Sequence, residues 1–112
     1  PDSGANRALL RLWEELNPAN PLDRRCPYCA EMIGAEQLFG GTADIDHIIP
    51  YSRSLDDSAS NKVVAHRSCN RAKGNRTPHE KWGNDPERWG KITDQVARLH
   101  KSKQWRFGPD AM

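Results

Sequence analysis

A chain of 112 residues has the length of one domain, near the lower limit of what a hydrophobic core sustains unaided. With 36% hydrophobic residues and a mean hydropathy of −0.90 that core is thin and a staple is expected, while no apolar run reaches membrane-spanning length and no signal-peptide pattern is present. A formal net charge of +2 is too mild to indicate a nucleic-acid partner by itself, and three cysteines, an odd number, argue against a pure disulfide framework.

The chain begins at Pro1 without an initiator methionine and closes on a loose Gly108-Pro109-Asp110-Ala111-Met112, which we read as the ends of a piece excised from a longer protein. Ser3 predicts the N-cap of a first helix over about 3–16, in which Leu9, Leu10, Leu12, Trp13 and Leu16 recur at helical spacing. Asn17-Pro18 stops it, because proline disfavours the helical region at the residue before it. A proline-broken connector leads to Cys26-Pro27-Tyr28-Cys29, and Ala30 to Phe39 predicts a short extended piece and one helical turn ended by Gly40-Gly41. Thr42 to Ile49 reads as a strand whose ladder capacity ends at Pro50, Tyr51 to Asn61 as a polar loop, and Lys62 to Ala65 as the return strand. Ser68 predicts the N-cap of a short helix through Lys73, with Gly74 just past its end. A helical flank over about 78–101 follows. It opens with the capping box Thr77-Pro78-His79-Glu80, and a second start at Asp85-Pro86 places Trp89, Ile92, Val96 and Leu99 on one face. There are no internal repeats and no low-complexity segment.

Two pairs of residues have metal-ligand spacing. Cys26-x2-Cys29 and His66-x2-Cys69 are separated by 36 residues, and each spacing lets two side chains converge on one ion. Four such ligands suit tetrahedral Zn2+ in a closed, structural site, and zinc-holding thiolates imply a reducing compartment. A redox CxxC motif is disfavoured because the strand-helix-strand setting of such motifs is missing.

The chemistry-bearing stretch is Asp44 to Asn75, DIDHIIPYSRSLDDSASNKVVAHRSCNRAKGN. Asp46 and Asn70 offer hard oxygen ligands for Mg2+ (or Mn2+), and His47 can exchange a proton near neutral pH. On a regular strand Asp46 and His47 face opposite ways, and Asp44 shares a face with Asp46, so Asp44 is a second candidate for the metal. From Arg67 to Arg76 there are four cations, Arg67, Arg71, Lys73 and Arg76, and no acid, which beside these residues reads as a phosphate-contacting edge. His79 and His100 read as surface residues, and the four tryptophans as core or docking residues.

This wording, with the cysteine knuckle before it, resembles the HNH nuclease domain of the type II CRISPR RNA-guided DNA endonucleases, in particular the compact II-C branch. The resemblance covers about Cys26 to Trp82. It implies an α+β fold in a single HNH domain over 1–112: a small zinc-stapled ββα-metal core over about 42–75, knuckles at 26–29 and 66–69, and flanking α-helices. It implies His47 as general base, Asp46 and Asn70 as Mg2+ ligands, and Asn61 as a supporting residue that orients the base through the backbone. Lys62 and Lys73 match positions that are often basic in relatives and would contact the DNA backbone. It further implies a DNA target strand paired to a guide RNA as substrate, the remainder of a parent effector as partner, a bacterial cytoplasmic setting, and a monomer for the isolated domain. Competing readings are a stand-alone HNH endonuclease of phage, homing or restriction type, and a non-catalytic zinc-stapled DNA-binding module.

Overall fold

The computed structural model describes residues 3–112. Helix α1, Gly4–Glu14, starts where the Ser3 hydroxyl accepts the Asn6 N–H at 3.1 Å, and it buries Leu12 and Trp13. The indole of Trp13 donates to the Ile33 carbonyl at 2.7 Å, so the helix is fastened to the chain that precedes α2, Ala35–Phe39. The connector between them is not free. Arg24 is buried, lies 4.5 Å over the Trp13 ring and donates to the Asn17 carbonyl at 3.1 Å.

The sheet is a single antiparallel pair, β1 (Ala43–His47) and β2 (Lys62–His66), in a register that sets Asp46 opposite Val63 and His47 opposite Lys62. Strand β1 is shorter than the expected 42–49. Ile48 and Ile49 are buried but leave the ladder, because the Ile48 N–H bonds the Asn61 carbonyl and the Ile49 N–H bonds the Asn61 side chain. The expected loop 51–61 contains a one-turn helix α3, Tyr51–Ser54, and a 3-10 turn, Ala59–Asn61. The Pro50 carbonyl accepts the N–H groups of Arg53 and Ser54, and Leu55, at φ 54°, reverses the chain at the end of α3.

Helix α4, Arg67–Lys73, begins two residues before the Ser68 cap would allow. Strand β2 runs straight into it: His66 stands at the N-cap, and the Arg67 N–H is taken by the Thr42 carbonyl at 2.9 Å. Gly74, at φ 60°, turns the chain out of the helix. Helix α5, Pro78–Trp82, carries both bonds of the capping box between Thr77 and Glu80, and α6, Pro86–Val96, starts with the Asp85 carboxylate accepting the Arg88 N–H.

The helix expected to reach Lys101 stops at Val96, and a separate α7, Lys101–Gln104, follows a turn. His100 is exposed, as expected of a surface residue, and it also starts α7 by accepting the Ser102 N–H at 3.1 Å. His79, by contrast, is half-buried, edge-on to Trp89 at 5.1 Å. Lys103 on α7 points inward, donating to the Lys62 carbonyl at 2.7 Å and pairing with Glu15, which ties α7 to β2 and α1. Trp13 and Trp82 are core residues, Trp89 is half-buried and Trp105 is exposed. No helix among the described residues is long and apolar enough to cross a membrane.

Candidate metal centre and active site

The four residues of the two knuckles meet. Ligand atoms of Cys26, Cys29, His66 and Cys69 all lie within 4.8 Å of one another, with Cys29 Sγ 3.2 Å from His66 Nδ1. The first knuckle is shaped by its backbone: the Ala30 N–H bonds the Cys26 carbonyl at 2.9 Å, and Ala30 takes a positive φ of 66°. The second knuckle is the junction of β2 and α4. Burial pushes the Cys26 thiol far up, whereas hydrogen bonds from the Cys26 and Cys69 thiols pull Cys29 far down. A cluster that already favours one thiolate among neighbouring thiols is poised to trade its protons for a cation. Three thiols and one imidazole on this spacing fit a tetrahedral Zn2+.

The candidate catalytic residues flank the hairpin. Asp46 turns inward from β1 and is 3% exposed; its Oδ2 accepts the Tyr28 hydroxyl at 2.5 Å and its Oδ1 accepts Lys73 Nζ at 3.1 Å. Burial raises the Asp46 carboxyl above its ordinary range, against the pull of Lys73 and Tyr28. Burial also lowers Lys73, against the pull of Asp46. His47 leaves the strand on the other side, and its Nε2 lies 2.7 Å from Asp57 Oδ1. Despite the alternation, Asp46, His47, Tyr51, Asn70 and Lys73 all line one polar pocket of about 180 Å³. A carboxylate has about four lone-pair sites and only two of Asp46's are taken, so with the Asn70 carboxamide it fits a hard cation that enters from this pocket.

Asn61 is fully buried and ties together two chain segments that follow His47. Its amide donates to the carbonyls of Ile49 at 2.9 Å and Asp56 at 2.8 Å, while its Oδ1 accepts the Ile49 N–H at 3.0 Å. One side chain therefore fixes the segment after His47 and the loop that carries Asp57.

The basic residues divide. Lys73 is 1% exposed and donates to Asp46 and to the His47 carbonyl at 2.8 Å, so its expected phosphate contact is corrected: the ammonium is an internal counter-ion. Lys62 Nζ is held by Asp57 at 3.1 Å. Arg67 pairs with Asp44 at 3.4 Å on the surface, and Arg71 and Arg76 are exposed. Asp44, the second metal candidate, is thus engaged outside the pocket. Sequence reasoning missed Tyr28 and Asp57. The only signals were an aromatic hydroxyl inside the knuckle and a second acid in the Asp56-Asp57 pair.

Residues 26–79 match the family described as HNH endonuclease. The CRISPR-associated endonuclease Cas9 of Campylobacter jejuni is 44% identical over 83 residues, covering 73% of this chain. Residues 26–79 belong to the HNH endonuclease family. A second relative of the HNH domain is Cas9 1 of Streptococcus thermophilus, 32% identical over 82 residues and 71% of this chain. The chain spans only 8% and 7% of the length of these two relatives. A crystal structure of Streptococcus thermophilus Cas9 in complex with the GGAA PAM superposes with a TM-score of 0.75 at 25% identity, over 91% of this chain and 10% of that one. The matched segment is therefore a small part of much longer endonucleases, and HNH membership implies use of a divalent metal.

Proposed function

We propose that this chain is the HNH nuclease domain of a type II RNA-guided DNA endonuclease, acting in the bacterial cytoplasm on the DNA strand paired to the guide RNA. The observation that carries the reading is the convergence of Asp46, His47 and Asn70 on one polar pocket, with His47 held by Asp57. The likeness to Cas9 proteins supports the guided substrate and the parent effector as partner.

The division of labour follows from the contacts. Asp57 accepts from His47 Nε2, which leaves Nδ1 as the nitrogen able to take a proton from the attacking water. Asn61 keeps base and carboxylate in register by bonding both flanking segments. Asp46 and Asn70 would hold a Mg2+ or Mn2+, which supplies polarisation of the phosphoryl oxygen and stabilises charge on the departing 3′ oxygen. Lys73 neutralises Asp46 from within, and the exposed Arg71 and Arg76 face the DNA backbone. Zn2+ at Cys26, Cys29, His66 and Cys69 would be structural.

The test is strand cleavage. His47→Ala should abolish divalent-dependent cutting of the guide-paired strand in a parent effector while leaving fold and zinc content intact. Asp46→Ala and Asn70→Ala should instead weaken the response to Mg2+. Normal cutting by His47→Ala removes the assignment of the base.

A further inference from the structure

Tyr28 stands between the two knuckle cysteines and heads the fully buried side chains by volume. Its ring is fixed by stacking on Trp82 at a centroid distance of 5.0 Å and by Phe107 at 6.0 Å, and its carbonyl receives Arg88 Nε at 2.5 Å. The hydroxyl is therefore aimed by a rigid ring, and it meets Asp46 Oδ2 at 2.5 Å. The other oxygen of Asp46 is held by Lys73, from the helix that carries Cys69. Both donors to this carboxylate thus come from segments that also supply the Cys3His cluster: the first knuckle through Tyr28, and α4 through Lys73. A buried tyrosine needs some acceptor for its hydroxyl, and many backbone carbonyls would serve. Here the acceptor is the carboxylate that lines the divalent-metal pocket.

We propose that Tyr28 is a positioning residue for the nuclease metal: its hydroxyl locks the carboxylate of Asp46 in the orientation that receives the divalent ion, and so couples the Cys3His knuckle to the active site. The inference rests on the reading of Asp46 as a metal ligand. With one oxygen tied to the knuckle and the other to α4, the carboxylate cannot rotate, and its remaining lone pairs are presented to the pocket in one fixed array. Hydrogen-bond partners of metal-ligating carboxylates typically contribute 10- to 100-fold in metal affinity. A disturbance at the knuckle would reach the nuclease site along this path without any change in Asp46, His47 or Asn70.

The experiment is a Mn2+ titration of the zinc-loaded chain, followed by electron paramagnetic resonance of free Mn2+, for the wild type, Tyr28→Phe and Asp46→Asn. Tyr28→Phe removes one oxygen and keeps the ring that packs on Trp82. It should retain zinc and its near-UV circular dichroism yet bind Mn2+ about 10- to 100-fold more weakly. A merely structural tyrosine would lower the melting temperature and leave the affinity of the folded protein unchanged, which overturns the proposal. Asp46→Asn separates the two levels. If it loses Mn2+ while Tyr28→Phe binds normally, Asp46 stands as a ligand and the positioning role falls. If Asp46→Asn binds as wild type, the ligand assignment falls and takes the inference with it. A second measurement needs no change at Tyr28. In protein carrying 13C at tyrosine Cζ, with Tyr28 assigned through Tyr51→Phe, Mg2+ should shift the Tyr28 resonance with the midpoint of metal binding. A Tyr28 signal that ignores Mg2+ refutes the coupling.

Discussion

Asp46 and Lys73 face each other at 3.1 Å with side chains 4% and 1% exposed, so each is the other's main compensation for leaving water. Removing Lys73 alone strands a buried carboxylate. Lys73→Met should therefore destabilise the chain by about 3 kcal/mol at neutral pH. The pH dependence has a definite sign. Asp46 already titrates above its ordinary 3.8 because of burial, and loss of Lys73 raises it further. The folded variant then binds a proton that the unfolded chain has released. The deficit relative to wild type should be small below about pH 4 and grow as pH rises. Urea unfolding of both proteins at matched pH values measures it, and a deficit that shrinks with rising pH would contradict the pairing. The inward course of Lys73 was partly legible. Cys69 and Lys73 are four apart on a helix, so once Cys69 faces the cluster, Lys73 shares that buried face. Counting four cations as one stripe hid this, because charge pattern alone does not say which side of a seven-residue helix is covered.

Helix starts written in local chemistry were readable: the Ser3 cap, the Thr77 box and the Asp85-Pro86 start all act where the sequence puts them. Boundaries set by tertiary partners were not. β1 stops at His47 because Asn61 captures the next two residues, and α4 starts at Arg67 because Thr42 takes its first N–H. The shift to α7 depends on His100 acting as a cap, a role histidine rarely signals. What holds these pieces is small: one hairpin of two five-residue strands, marginal alone, tied by the Cys3His cluster. Zinc binding at such sites carries about 10–16 kcal/mol, which matches or exceeds the whole stability of an ordinary domain at about 5–15 kcal/mol. One zinc per chain is expected. Chelation, or Cys29→Ser, should abolish the near-UV circular dichroism and the cooperative melting transition. A metal-free chain that melts like the zinc-loaded one rules out the cluster as the staple.

At the scale of the molecule, the chain has the parts of a nuclease site but little means of gathering DNA. Its formal charge is +2, and three bound thiolates with one Zn2+ bring it to about +1. Of the basic edge, Lys73 is internal, Lys62 is held by Asp57 and Arg67 by Asp44, which leaves Arg71 and Arg76 to meet phosphates. Two phosphate contacts give a salt slope of about −2, so binding should fall about 12-fold between 50 and 200 mM salt. The relatives are more than ten times longer than the matched segment, and in such a parent the remaining chain would hold the guide–target duplex and deliver one phosphate to His47. Without that delivery, substrate and Mg2+ must both be collected by a pocket of about 180 Å³ in which Asp46 and Asn70 are the proposed metal ligands. The 112-residue chain by itself should nick plasmid weakly, without sequence preference, only with Mg2+ or Mn2+, and with activity that collapses as salt rises. Plasmid incubated across a salt series, with His47→Ala as control, reads this directly. Efficient sequence-specific cleavage at 200 mM salt would mean that the chain carries its own recognition surface, and would replace the guided domain with a stand-alone endonuclease.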